Sequence, residues 1–599
     1  MVQNFIAACN NPIGPSSRQE SSEEVPPAST LAPSGTAYYG ATHWAAFLNH
    51  VRDIKTAIEK EEAAGTVPNT LSLSPPELSP VTTPGNITPD PIFGKVESIT
   101  LRDVMDSLGC RQDVDKLLAI YFRCQYVVSS FIHVPRFQRE YERFRTNPES
   151  TSFLWISILF SILANASMIA KAKGYDANMS MPIPPPALYT ARAMQCLVAG
   201  QYLTDKKYAV EALLLYVHTR NVASQDSNAA LWAIFGLATR LAQRGGYHRD
   251  PKHLSRRISP FETEMRRRVW FFVEAFDVLL SLHLGVPTII HEEETDTDFI
   301  TNHPDEDFDE DTETMPPPRP PLDPTPILSY SIKAKSIRIM RRVMRHALST
   351  KKPDYDKTWA LHAEIQQSYS EIPACLQYRP IQSTSFSEPN ETIMFRLTHE
   401  LMYNRAMCLL HRPYLTFEKD RELHRPSRKI CSESARRILD LHVEYDREIR
   451  PGGRLYEDRY MFSVLTMHEF MVAAMVVCLD LNESAPARHA IHRMRAVQAI
   501  WNERASTSRD ARHASIVLSA MLQRVGTRRL VDMSSRELPG WQATVNTGSI
   551  AVPTNTRTED IGSAFDVSYD FLDFLPLDNA FNDPANLDWN LLDQWLHVE

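Results

Sequence analysis

The stretch Ser259-Pro260-Phe261-Glu262-Thr263-Glu264-Met265-Arg266-Arg267-Arg268-Val269-Trp270, running on to Leu284-Gly285, decides the fold class. Ser259 is a helix-capping residue type, and Pro260 suits the first helical position, where no N–H donor is needed. Met265 to Leu284 is the predicted helix. Val269 and Trp270 begin an apolar face that Val273, Ala275-Phe276 and Leu279-Leu280 continue at helical spacing. Arg266, Arg267 and Arg268 fall around the helix start, where carboxylates such as Asp250 or Asp277, or helix-end carbonyls, can pair with them. Such a triplet also serves phosphate contact or nuclear import, but its place beside a core tryptophan favours an ion-pair network.

The same periodicity extends in both directions. Leu117-Leu118, Tyr121-Phe122 and Tyr126 recur at helical spacing, and Trp155 to Ile169 is an apolar stretch of helix length. Thr190 to Tyr202, Tyr208 to Val222 and Ala229 to Arg244 follow, the last ended by Gly245-Gly246. Helices resume at about residue 327 and continue to about 525. No run of alternating strands appears, so the fold class is all-α, with one large helical domain over 98–525. Residues 292–326 interrupt it as an acidic and Pro-rich insertion loop. On the N-terminal side, 1–35 is Pro/Ser-rich and predicted disordered, 36–64 a short helix, and 65–97 a linker. Trp44, Phe47, Val51, Ile54 and Ile58 form a heptad-spaced stripe in that short helix, a candidate dimer seam or a docking face. On the C-terminal side, 526–562 is a linker and 563–599 an acidic-aromatic, disordered tail.

Hydrophobic residues make up 43% and charged residues 23%, the balance of a chain able to bury a large core. The net charge of −9 hides two acidic appendages: residues 292–313 carry twelve acids and 558–599 carry ten, neither with Lys or Arg. Without these −12 and −10 contributions the remainder is +13. Such blocks read as solvated, interaction-prone segments. In the tail, Phe565, Tyr569, Phe571, Phe574, Phe581, Trp589 and Trp595 alternate with aspartates. That pattern predicts an activation segment whose aromatics fold into a coactivator groove, or else dock on the domain itself.

The eight cysteines, Cys9, Cys110, Cys124, Cys196, Cys375, Cys408, Cys431 and Cys478, include no CxxC pair. They are expected to be small buried hydrophobes in a reducing compartment, with no metal site and no cofactor. Met1 to Asn10 lacks a secretory pattern, and no uninterrupted apolar run is long enough for a membrane span, so a soluble intracellular protein is expected. Catalytic motifs are absent. Asp305-Glu306-Asp307-Phe308-Asp309-Glu310-Asp311 leaves one enzyme alternative, an all-α Mg²⁺-dependent terpenoid-type synthase. That chemistry needs carboxylates on a rigid helix facing a cavity, whereas Pro304 and Pro316 bracket this block as a loop. Lys333, Lys335, Arg338, Arg341, Arg342 and Arg345 make a basic helix face suited to DNA or an importer, or to solvation beside the acidic loop.

Five elements, taken together, resemble a known family. Leu117-Leu118-Ala119-Ile120-Tyr121-Phe122 leads to Phe131-Ile132-His133-Val134-Pro135-Arg136-Phe137. Trp232 to Arg240 is followed by Ala242 and Gly245-Gly246-Tyr247-His248-Arg249-Asp250-Pro251. Glu264 to Trp270 comes third and Gly285-Val286-Pro287 fourth, and Leu401 to Leu415 contains His411-Arg412-Pro413-Tyr414. In order and spacing they resemble the fungal-specific transcription factor domain, the middle homology region of zinc-cluster regulators; Val286 stands where that family has arginine. The resemblance implies a nuclear regulator of RNA polymerase II genes, commonly of one biosynthetic gene cluster. It assigns a mainly structural role to His133, Pro135, Phe137, Gly246, His248, Arg249, Asp250, Arg266, Arg267, Arg268, Trp270, Gly285, Pro287, Arg412 and Pro413. The family's Zn2Cys6 DNA-binding head needs six closely spaced cysteines, yet only Cys9 precedes Cys110, although Tyr39 to Ala46 resembles the segment that follows such a head. The expectation is therefore a regulatory domain without that head. It would reach DNA directly or through a zinc-cluster partner, as homo- or heterodimer, and the transcription machinery through its tail. The alternative is a head-less coregulator or inhibitor dimerising with zinc-cluster factors.

Overall fold

A computed structural model of the protein describes residues 96–522, apart from short stretches at 125–128, 176–181, 225–228, 256, 352, 416–420, 462–463 and 484–487 and scattered positions after 508. It also describes 30–31, 38–39 and 91–93. The candidate dimer stripe Trp44, Phe47, Val51, Ile54 and Ile58, the 526–562 linker and the aromatic tail Phe565 to Trp595 lie outside the described residues.

The described fold is all-α. Its helices are α1 (Leu101–Leu108), α2 (Arg111–Arg123), α3 (Val134–Thr146), α4 (Phe153–Ala172), α5 (Pro186–Ala199), α6 (Ala209–Ala223) and α7 (Ala229–Arg244). After these come α8 (Pro260–Leu284), α9 (Pro326–Ala347), α10 (Tyr355–Ser370), α11 (Asn390–His411), α12 (Arg425–Ile449), α13 (Val464–Glu483) and α14 (Arg488–Arg504). Their starts follow capping chemistry: the side chains of Thr100, Ser152, Ser259, Thr325 and Asp354 each accept a first-turn N–H. Prolines account for the boundary differences. Pro186 and Pro260 stand in the first turns of α5 and α8, so both helices begin four or more residues before the expected Thr190 and Met265.

Helix α4 organises the N-terminal half. It is long and apolar enough to cross a membrane, but nearly all of it is buried in the protein, packed against α2, α5 and α6. Two of its polar side chains bond to neighbouring helices. Ser157 Oγ donates to the Ala193 carbonyl at 2.7 Å, and Asn165 Nδ2 donates to Thr219 Oγ1 at 3.0 Å. Gly200, just past α5, touches this helix so closely that an added Cβ would lie 2.7 Å from the Leu154 side chain. Helix α8 continues the sequence α6, α7, α8 and carries the fold across to α9 and α13, and so to the second half built from α9 to α14. One hydrophobic core spans both halves, and a second, around Val278, Met340, Val343 and Leu410, lies where α8 meets α9 and α11.

Four expectations are corrected. Residues 292–326 hold two short 3-10 turns and no α-helix before Pro326, as expected of a loop, but they are not a solvated appendage: Ile300, His303 and Phe308 are buried, and acids such as Glu292 and Asp305 are paired with helix arginines. Within the 65–97 linker, Pro91–Phe93 form a 3-10 turn whose Ile92 is buried against α5, because an apolar side chain this close to the core gains more by docking than by solvation. Thr30–Leu31 pair antiparallel with Tyr38–Tyr39, where disorder and a short helix were expected; Thr and Tyr are residue types that favour extended backbone. Among the cysteines, Cys110 is exposed and Cys375 half-buried, because Cys110 sits at the capping position ahead of α2 and Cys375 in the turn after α10, while the other five described are buried.

Gly200→Val should lower stability by roughly 1–3 kcal/mol by overpacking against Leu154, seen as a lower urea midpoint at unchanged slope. A pH effect is also expected. Burial, reinforced by Arg405, Lys333 and His362 respectively, pushes His283, His399 and His411 down to about 3. Because the unfolded histidines titrate near ~6.5, their stabilising contribution is complete above that pH and is lost as pH falls toward about 3. Urea midpoints should therefore decline from pH 7 to pH 5, and His399→Gln should flatten that decline.

Candidate functional site

The arginine triplet of α8 sorts into three environments. Arg268 is only 1% exposed. It donates to Asp305 Oδ1 at 2.5 Å, to the His303 carbonyl at 2.6 Å and to the Ser130 carbonyl at 3.3 Å. Its Nε lies 3.5 Å from the buried Glu264 one turn earlier. Asp305 uses its other oxygen to accept the backbone N–H of Val134 at 2.8 Å, a carboxylate at the positive end of α3. His133 caps the same helix, its Nε2 3.0 Å from the Phe308 carbonyl and its ring between Phe261 and Phe308. Pro135 lies in that first turn, and Phe137 packs against Trp155.

Arg267 forks onto Asp250, with Nε 2.9 Å from Oδ2 and Nη2 3.3 Å from Oδ1, and also reaches Asp298. Asp250 is fully buried. Burial would raise its carboxyl, but Arg267 and the backbone N–H groups of Asp298 and Lys252 outweigh burial and hold it below the ordinary carboxylate range. The Gly246 turn, left-handed at φ 70°, exposes the His248 carbonyl to the N–H of Asp296 and the hydroxyl of Thr295; Arg249 pairs with Asp296. Arg266 donates to the Gly245 carbonyl at the end of α7 and lies 4.3 Å over the Tyr247 ring. Asp277, the other carboxylate considered for these arginines, instead accepts the N–H groups of Ile289 and Ile290.

Two charged segments read from the sequence meet here. The basic face of α9 lies beside the acidic segment, as one of its readings had it, and is paired with carboxylates, while Lys335 and Arg345 stay exposed. Arg341 and Arg338 share buried Glu274, Arg342 pairs with Glu292 and Glu364, Arg345 with Glu293, Lys335 with Glu371, and the Lys333 ammonium lies against the Tyr330 and Phe395 rings. The aspartate-rich block is a loop with one short 3-10 turn, as its bracketing prolines predicted. Asp305 holds Arg268, Glu306 and Asp307 hold Arg319, and Glu310 holds Arg139.

The remaining motif positions end helices. Gly285, at φ 73°, is the left-handed cap of α8, and exposed Pro287 follows in the outgoing turn. Trp270 is buried beside His248. Arg412 and Pro413 begin the 3-10 turn after α11, with Arg412 buried near Cys408 and Cys431, whose sulfurs are 3.9 Å apart.

A cavity of about 460 Å³ opens between α3, α4, α6, α7 and the start of α8. Phe137, Trp155, Ile158, Val210 and Val269 form its apolar wall, and Arg136, Glu140, Tyr208, Glu211 and Arg266 its polar one. The turn before α6 shapes it: Tyr208 adopts φ 71° and donates its hydroxyl to Glu140, which Arg136 also contacts. Sequence reading missed Tyr208, Glu211 and Tyr247 as a group, since nothing in their spacing links three separate segments. Glu264 was legible in principle, four residues before Arg268 on the same helix face.

A family model described as the fungal specific transcription factor domain matches residues 118–372, running through the acidic segment. The chain is 31% identical over 506 residues to the Zn(2)-C6 fungal-type transcription factor pigI of Monascus ruber, covering 82% of the chain and 61% of that protein. It is 31% identical over 510 residues to the Zn(2)-C6 fungal-type transcription factor mpsB of Macrophomina phaseolina, covering 81% of the chain and 67% of that protein. The chain belongs to this family of fungal transcription factors. The equisetin cluster transcription factor eqxF of Fusarium heterosporum is a further relative, 29% identical over 522 residues, with 82% of the chain and 72% of that protein covered. The family and these relatives are transcription factors and not enzymes, which removes the terpenoid-synthase alternative. The chain spans about three-fifths of the length of pigI, and eqxF is named for the equisetin cluster.

Replacing Arg268 by Leu leaves Glu264 buried without its cation and should cost about 3–5 kcal/mol in chemical denaturation. Arg249→Leu, at a half-exposed pair, should cost no more than about 1 kcal/mol.

Proposed function

We propose that this chain is a nuclear, pathway-specific regulator of RNA polymerase II genes that switches on one biosynthetic gene cluster. The names of its relatives support the pathway: eqxF is an equisetin cluster factor, and fsa6 of a Fusarium species is a fusarisetin A cluster factor. The composition of the tail supports activation: aspartates interleave with Phe565, Tyr569, Phe571, Phe574, Phe581, Trp589 and Trp595, the pattern of a segment that binds a coactivator groove.

The single observation that carries the division of labour is the pairing of α9. Every arginine on that helix is engaged by a carboxylate of the same chain, which lowers the net positive charge it offers to phosphates. In this reading the helical domain regulates, the tail activates, and DNA contact is made by a zinc cluster in the same polypeptide or on a partner held through Trp44, Phe47, Val51, Ile54 and Ile58. No cofactor is needed within residues 98–525. A second reading is a coregulator or inhibitor that pairs with zinc-cluster factors through the heptad-spaced stripe Trp44, Phe47, Val51, Ile54 and Ile58.

The two readings separate in a reporter assay driven by promoters of the genes neighbouring this one. Deleting residues 563–599 should abolish most of the output of an activator. Unchanged or increased output supports the inhibitor and removes the activation role assigned to the tail.

A further inference from the structure

The cavity beneath the α3–α8 junction has the features of a built site. Its volume, about 460 Å³, falls within the ~300–1,000 Å³ typical of small-molecule pockets. Its inner wall is apolar, lined by the buried Phe137, Trp155, Ile158 and Val210. Two polar atoms buried in its lining have no partner in the protein: Glu211 Oε2 and Arg266 Nε. Buried polar atoms are almost always satisfied, and each one left unpaired costs about 1–3 kcal/mol. Glu211 is held in place by its other oxygen, which accepts from Tyr247 Oη at 3.0 Å, and Tyr247 is in turn covered by the Arg266 guanidinium.

The mouth adds a second, independent observation. Tyr208 is an aromatic residue at φ 71°, a conformation costing roughly 1–3 kcal/mol. Its hydroxyl donates to Glu140 while Arg136 donates to it at 3.2 Å, and the Lys207 ammonium lies 4.6 Å over its ring. Those contacts over-determine the strained turn and keep the ring at the rim. The exposed Lys206 and Lys207 beside it open to solvent.

We propose that this cavity binds a largely apolar small molecule carrying one hydrogen-bond donor, an amine or hydroxyl, which donates to Glu211 Oε2 while an acceptor oxygen, where the ligand has one, takes Arg266 Nε. Burial raises the Glu211 carboxyl against the opposing effect of its hydrogen bonds, and a donated ligand hydrogen bond restores solvation lost on folding. The site adjoins the ion-paired strap only at its rim, through Arg136, and stands whether or not the chain activates transcription.

Two fluorescent probes of matched shape test it on the full chain: 1-aminoanthracene, with the amine donor, and anthracene, without it. Wild type should bind 1-aminoanthracene saturably, one per chain, about 10-fold tighter than anthracene, the ratio one good hydrogen bond supplies. Glu211→Gln, nearly isosteric, should bring that ratio close to one. Val210→Trp should fill the apolar wall and weaken both probes about 10-fold or more, provided its thermal melt matches wild type. If that variant does not fold, the Glu211→Gln ratio decides alone. Absence of saturable binding to wild type, equal affinity for the two probes, or an unchanged ratio in Glu211→Gln each overturns the proposal.

Discussion

A guanidinium taken out of water must find several partners at once, and Arg268 finds them on three separate stretches of chain. Glu264 lies one turn back on α8, the Ser130 carbonyl precedes α3, and Asp305 and the His303 carbonyl belong to the acidic segment. The desolvation cost is repaid only when all of these are in place, so one side chain sets how α3, α8 and residues 300–308 meet. Asp305 extends the constraint by binding the first N–H of α3, and Arg267 repeats the arrangement with Asp250 and Asp298. The acidic segment therefore acts as a strap across the helices and not as a free appendage.

That strap resolves an electrostatic puzzle in the composition. A body of net charge +13 beside a block of −12 might be two surfaces for two partners, or one neutralised interface. Arg342 and Arg345 on Glu292 and Glu293, and Arg139 on Glu310, put it in the second class. The exposed members of this set contribute little each; Arg341 and Arg338 on buried Glu274 are the pairs whose loss would strand a charge. The cavity adjoins this network through Arg136, which faces Glu140 and Tyr208 at the mouth and lies 3.8 Å from Glu310 of the strap.

Much of the fold was legible because helices announce themselves locally. Ser259 and Pro260 start α8 and Gly285 ends it at positive φ, and the apolar spacing from Val269 to Leu280 follows from backbone geometry alone. Arg267 and Asp250 could be put forward as partners because both sit in family motifs. The cavity was not legible, because Glu211, Tyr247, Arg266 and Tyr208 come from separate segments and only packing brings them together. Tyr208 carries a conformation that no residue-type preference predicts, since its φ is imposed by Glu140 and Arg136.

By itself, then, the sequence determined the all-α class, the run of helices and the family, since each depends on short-range spacing or on motifs in order. The tertiary structure alone decided which charges face water. Periodicity shows that Arg338 and Arg341 share a helix face with Lys335 and Arg345, but cannot show that Glu274, 64 and 67 residues away in another helix, or an acidic strap between, will cover it. Whether a charge is solvated or paired is a property of what packs against it, and that is settled only when distant segments meet.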